Sequence, residues 1–230
     1  MEHVGIRAVD AGRATAWISE GWGLFKQAPG IWIALLVIYF VIAVVAGFIP
    51  VIGSLALSLL APVFSYGFLA GARDLQAGQA LKIEHLFAGF KSPHLGNLIM
   101  LGLLSLAVGV VLALLAGFGM VGAVVTGGES AAGLGALLGS LIVLLLVLVL
   151  VAALFFATPL VGFAGMGPVD AVKMSFAATL QNWLPLLVWG LIALVLSVIG
   201  AIPFGLGLLI VAPLLLASYW CACRDILGVS

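Results

Sequence analysis

A chain of 230 residues that is 65% apolar and only 7% charged is not a water-soluble globular protein, because soluble domains carry about 25% charged side chains. Its formal net charge of zero argues against a nucleic-acid partner, which requires a basic face. The apolar residues gather into six stretches, most near the roughly 20 residues that cross a hydrocarbon layer, and these leave no room for a separate soluble domain. The predicted fold is an all-α integral membrane protein, a single polytopic domain over residues 1–230.

The first 30 residues hold Glu2, Asp10, Arg13, Glu20 and Lys26, with no early apolar core before a small-residue cleavage site. No cleavable signal peptide is expected, and the first span should act as an uncleaved anchor. Within this region Ala14, Trp17, Ile18, Trp22 and Phe25 recur at helical spacing while Arg13, Glu20 and Lys26 point elsewhere. Such a helix lies in the membrane interface, and Trp17 and Trp22 are its expected anchors at headgroup depth.

The first span, Ile31–Phe48, turns at Ile49-Pro50 into the second, Ser54–Ala72, which contains Pro62 and ends at Arg73-Asp74. A second amphipathic stretch follows, with Ile83, Leu86, Phe87 and Phe90 on one helical face and Lys82, Glu84 and Lys91 off it. The third and fourth spans, Leu95–Val121 and Leu134–Phe156, enclose a loop carrying Glu129. The run Leu141-Ile-Val-Leu-Leu-Leu-Val-Leu-Val-Leu-Val has no polar side, as a lipid-embedded helix requires. Gly167-Pro168 then opens a third amphipathic helix bearing Val169, Val172, Phe176 and Leu180. The fifth and sixth spans are Trp183–Ala201 and Phe204–Ala222, joined at Ile202-Pro203 and closed by Arg224-Asp225.

This order repeats. Pro62 stands eleven residues before Arg73-Asp74, Pro213 eleven before Arg224-Asp225, and Pro159 eleven before Asp170. Three units, about 12–78, 79–166 and 167–228, each hold an amphipathic helix and a helical hairpin. Two spans per unit make the repeats parallel rather than inverted. A proline inside a helix removes one backbone hydrogen bond, so Pro62, Pro159 and Pro213 are candidate hinges or shaping kinks. The carbonyl each one frees must find a partner within the protein.

Drawing the spans sorts the cations. Arg7, Arg13, Lys26, Arg73, Lys82, Lys91, Lys173 and Arg224 all fall on one side, so both termini are expected in the cytoplasm and Glu129 outside. The pairs Arg73-Asp74 and Arg224-Asp225 are expected to anchor span ends at that inner surface. Small residues four apart, as in Gly67 and Gly71, Ser105 and Gly109, or Gly135 and Gly139, allow close helix approach.

Chemistry-bearing sets are sparse. No ionisable residue falls inside a span, where ion-coupled carriers keep theirs, and the span serines are expected to bond to their own backbone. Cys221 and Cys223 supply two of the four ligands that zinc takes, and their spacing and the reducing cytoplasm argue against a disulfide. Glu84, His85 and His94 have no fixed metal-binding spacing and read as solvated loop residues. No phosphate-binding glycine loop, H-E-x-x-H or G-x-S-x-G occurs. No catalytic residue, cofactor or metal is assigned.

The stretch Trp17-Ile-Ser-Glu-Gly-Trp-Gly-Leu-Phe-Lys-Gln-Ala-Pro, then Ile49-Pro-Val-Ile-Gly, Ala61-Pro-Val-Phe and Leu86-Phe-Ala-Gly-Phe-Lys resembles a proteobacterial family of hypothetical inner-membrane proteins. More loosely, the three-unit plan is similar to the membrane region attached to some glycerophosphodiester phosphodiesterases. The resemblance implies a bacterial inner membrane and an all-helical fold, and implies no catalytic residues. By elimination, the expected function is a non-enzymatic inner-membrane protein that organises lipids or partner proteins, as a homo-oligomer or with other membrane proteins. The alternative is a small transporter or channel for a weakly polar or lipid-like substrate.

Overall fold

A computed structural model describes the backbone of residues 5–125 and 130–229, and the side chains of 5–114 and 139–229. Glu129, in the expected outer loop, lies outside the described residues, and so do the surroundings of Gly135. The described chain is helical and contains no strand. In order come α1 (Arg13–Gln27), α2 (Pro29–Gly47), α3 (Ile52–Gln76), a 3-10 helix (Ile83–Lys91), α4 (Leu95–Val125), α5 (Ser130–Phe155), α6 (Ala157–Gly162), α7 (Pro168–Gln181), α8 (Trp183–Ala201) and α9 (Leu208–Leu227). Six of these are long and apolar enough to cross a membrane, among the described residues.

Several span boundaries differ from the sequence reading. Phe204 and Gly205 adopt φ of 51° and 80°, left-handed values that cannot continue a helix, so α9 starts at Leu208 rather than Phe204. It then runs on to Leu227, where Gly228 closes it in the left-handed conformation. Likewise α3 continues to Gln76. Both Arg-Asp pairs therefore sit inside the last turns of helices rather than beyond them. The second amphipathic stretch winds as a 3-10 helix. Three residues per turn align Leu86 with Gly89 on one ridge, and these two are its buried positions. The ridge lies so close to α3 that a Cβ on Gly89 would fall 2.2 Å from the Val63 carbonyl oxygen.

The two ends of the described chain lie at one end of the bundle, since the amides of Gly5 and Arg7 donate to the carbonyls of Leu227 and Ile226 at 3.3 and 2.8 Å. At this basal end the six long helices pack most closely. Trp32 and Leu35 of α2, Leu98 and Leu101 of α4, and most of α9 from Pro213 onward are buried there, with Phe156 to Gly162. Away from it, side chains such as Phe40, Val45, Leu145 and Leu194 are exposed, as lipid contact requires.

The three amphipathic segments share one packing rule. The 3-10 helix lies against α3, α7 against α5, and α1 against α9, so each covers the long helix that precedes it, and α1 closes the circle. Gly67 and Gly71 of α3 face the 3-10 helix and Leu81, placing one expected small-residue motif inside the chain.

Of the three prolines, Pro62 and Pro213 stand within continuous α3 and α9, whereas the helix before Pro159 is interrupted at Phe156. There the Ser175 hydroxyl of α7 inserts into the helical ladder. It accepts the Phe156 amide at 2.8 Å and donates to the Ala152 carbonyl at 3.2 Å, replacing the bond those two groups would make directly. Thr179 adds a second donor to Ala152 at 3.0 Å. Pro159 has no N–H for the Phe155 carbonyl, and the Tyr219 hydroxyl of α9 donates to it instead.

Candidate functional site at the basal surface

The charged residues that span α1 and α9 converge from opposite ends of the sequence. Asp225 accepts from Trp17 Nε1 at 2.9 Å and from Arg13 Nε at 2.9 Å, and also pairs with Arg13 Nη2. Arg224 holds Glu20 at 2.8 Å and its neighbour Asp225 at 3.0 Å, while Arg13 reaches Glu20 at 3.0 Å. The bond to Asp225, the largest influence on it, raises the already high pKa of Arg13. Beneath this network a Cβ on Gly21 would meet the Ser218 backbone nitrogen at 2.6 Å, so glycine is what lets α1 lie flush on α9.

Trp17 is completely buried and bonded to Asp225, so it fastens α1 to α9. Trp22 is 41% exposed, stacks on Phe25 at 5.4 Å and lies under the Lys26 ammonium at 5.9 Å. Close by, the buried Asn182 at the end of α7 accepts the Val9 amide at 2.9 Å and donates to the Arg7 carbonyl at 3.0 Å. It pins the segment that leads into α1.

A parallel set forms at the end of α3. Arg73 binds Asp74 through Nε at 2.9 Å and Nη2 at 2.8 Å, and its guanidinium lies 5.2 Å from the Phe163 ring centre. His85 of the 3-10 helix sets Nδ1 3.0 Å from both the amide and the carbonyl of Lys82, and its Nε2 faces Asp74 Oδ2 at 3.2 Å. In both sets the Asp of an Arg-Asp pair is thus met by a ring nitrogen from the amphipathic segment that covers its helix. The spacing of the pairs was visible in the sequence; His85, Arg13, Glu20 and Asn182 were not distinguished, because their partners are remote along the chain or depend on the local fold.

Beside His85 opens a shallow hollow of about 510 Å³ lined by Gln79, Ala80, Lys82, Glu84, His85, Ala88 and Lys91. The exposed side chains of Ile83, Phe87 and Phe90 belong to the same 3-10 helix. Among the described residues no group of His, Cys, Asp and Glu is arranged to hold a metal ion.

Four serines of the long helices are engaged locally. Ser54, Ser58, Ser105 and Ser197 each donate to a carbonyl three or four residues earlier, as expected. Ser218 donates to Leu215 and accepts the Trp189 indole at 3.0 Å, and Tyr66 packs against Phe163 with ring centres 4.8 Å apart.

Against known proteins, a stretch of 84 residues, 36% of this chain, is 32% identical to part of a probable inner membrane protein of Burkholderia thailandensis. That stretch spans 31% of the relative's length. No protein-family model matches the chain, and no solved structure does. With six apolar helices of spanning length, the chain is a multi-pass membrane protein.

Proposed function

We propose that this chain is a non-enzymatic protein of the bacterial inner membrane that organises lipids or partner proteins at the cytoplasmic leaflet, alone as a homo-oligomer or with other membrane proteins. The observation that carries the reading is the division of its surface. Uncharged apolar side chains, Phe40, Phe48 and Phe204 among them, cover the helices away from the basal end, while Trp22, Phe87 and Phe90 stand at that end together with lysines. Aromatic rings with adjacent cations are the chemistry of the headgroup zone. The likeness to a probable inner membrane protein supports the membrane, and the one-sided cations support a cytoplasmic basal end.

The architecture under this reading is three helical hairpins, each with its interfacial helix, arranged so that every interfacial helix rests on the preceding hairpin. The packing of the 3-10 helix on α3, α7 on α5 and α1 on α9 supports it, as do the matching Asp74 and Asp225 sites.

The test is reconstitution into vesicles of phosphatidylcholine containing fluorescent phosphatidylglycerol. Energy transfer between labelled lipids should rise with protein content, and small-solute flux should stay at the protein-free level. Solute-specific flux without lipid clustering would replace this reading with that of a transporter.

A further inference from the structure

We propose that the hollow beside His85 is a binding site for the headgroup phosphate of an anionic phospholipid of the cytoplasmic leaflet, held between Lys82 and Lys91. The inference deepens the lipid-organising reading and rests on the membrane placement given there.

The charge balance of the basal surface singles this place out. Arg13, Arg73 and Arg224 are bound to carboxylates, Lys173 stands 4.0 Å from Asp170, Lys26 lies over the Trp22 ring, and the Arg7 guanidinium lies beside Gly228. Lys82 and Lys91, exposed and without a carboxylate partner among the described residues, line one hollow together. Glu84, also on its rim, leaves the lysines in excess by one charge. The floor is fixed rather than loose. His85 ties the Lys82 backbone to Asp74 of α3, and Leu86 and Gly89 are buried against that helix. The two lysines are therefore carried on a segment anchored at both its histidine and its ridge.

Size and depth fit the same occupant. A volume of about 510 Å³ admits a phosphate ester with its glycerol, and the opening is broad, as a ligand arriving from a bilayer surface requires. Ile83, Phe87 and Phe90 are partly exposed on the same short helix, and Phe87 and Phe90 lie 6.3 and 5.4 Å from Phe64 of α3. These rings hold the segment at the apolar boundary, where the lysines meet phosphates. A free anion would have no use for a segment whose exposed Ile83, Phe87 and Phe90 suit it to an apolar boundary, which is the reason for assigning the lipid.

The whole protein is reconstituted in equal phosphatidylglycerol and phosphatidylcholine, extracted in mild detergent and weighed by native mass spectrometry. Retained phosphatidylglycerol should exceed phosphatidylcholine, and the double variant K82Q/K91Q should lower that preference roughly tenfold. K173Q, which changes a cation elsewhere on the same surface, should leave it unchanged, and E84Q should raise it. Both lysines are exposed, so the double variant keeps the fold, and an unchanged elution volume verifies this. Equal loss in K173Q would show a diffuse charge effect and overturn the site. Displacement of the lipid by millimolar inorganic phosphate would assign the hollow to a soluble anion and overturn it too. Equal retention of the two lipids with clustering intact would defeat this site alone. Clustering lost while phosphatidylglycerol is retained would support the site and defeat the wider function.

Discussion

Proline 159 shows how one residue's missing donor is answered across the bundle. The Phe155 carbonyl, left without an N–H from position 159, receives the Tyr219 hydroxyl from α9. An unsatisfied carbonyl in an apolar setting costs about 1–3 kcal/mol, so Tyr219→Phe should lower thermal stability in detergent by that order. In a Pro159→Ala background the same change should cost much less, because alanine restores the amide donor. Equal losses in the two backgrounds would mean that the hydroxyl matters for packing and not for the freed carbonyl. Asp225 is the other residue with several claims on it, from Trp17, Arg13 and Arg224. Asp225→Ala strands a buried indole donor and two cations, whereas Asp74→Ala affects Arg73 and the largely covered His85. Melting curves should place Asp225→Ala about 1–3 kcal/mol below the parent protein and Asp74→Ala closer to it.

At the scale of elements, the amphipathic segments are held by fit as much as by charge. No side chain can be accommodated at Gly89 or Gly21 without moving a backbone, since the nearest atoms are the Val63 carbonyl and the Ser218 amide nitrogen. Gly89→Ala should therefore lift the 3-10 helix from α3, and Gly21→Ala should lift α1 from α9. Hydrogen exchange reads both: faster exchange confined to residues 79–92 in the first case and to 5–27 in the second. Exchange that rises uniformly would show that these segments do not open separately from the bundle. The helical period of Ile83, Leu86, Phe87 and Phe90 disclosed that a covering element exists here. It did not disclose a 3-10 helix, because that choice follows from the narrow gap above Val63 and Gly67, which belongs to α3.

For the whole molecule, the one-sided cations lead to a prediction about orientation. Single cysteines beside Lys82 and Lys173 should resist an impermeant maleimide in intact cells, and cysteines in the turns near Val51 and Phe204 should react, in a background with Cys221 and Cys223 replaced. The reverse pattern would invert the protein and remove the lipid proposal with it. Length, hydropathy and proline spacing determined the number of spans, their order and the sites where helices lose a hydrogen bond, because a bilayer demands about 20 apolar residues and internal satisfaction of every backbone group. Those demands act on local sequence, so they are legible there. Which polar groups meet was decided by the tertiary structure alone. Arg13 lies 212 residues from Asp225, and Ser175 lies 19 from the amide it accepts. Trp17 carries the signature of a surface anchor and is buried, since closure of α1 onto α9 puts its indole against a carboxylate that a helical pattern cannot show. Short-range periodicity records which face of a helix is apolar, while the identity of the surface covering that face depends on how the chain returns to itself.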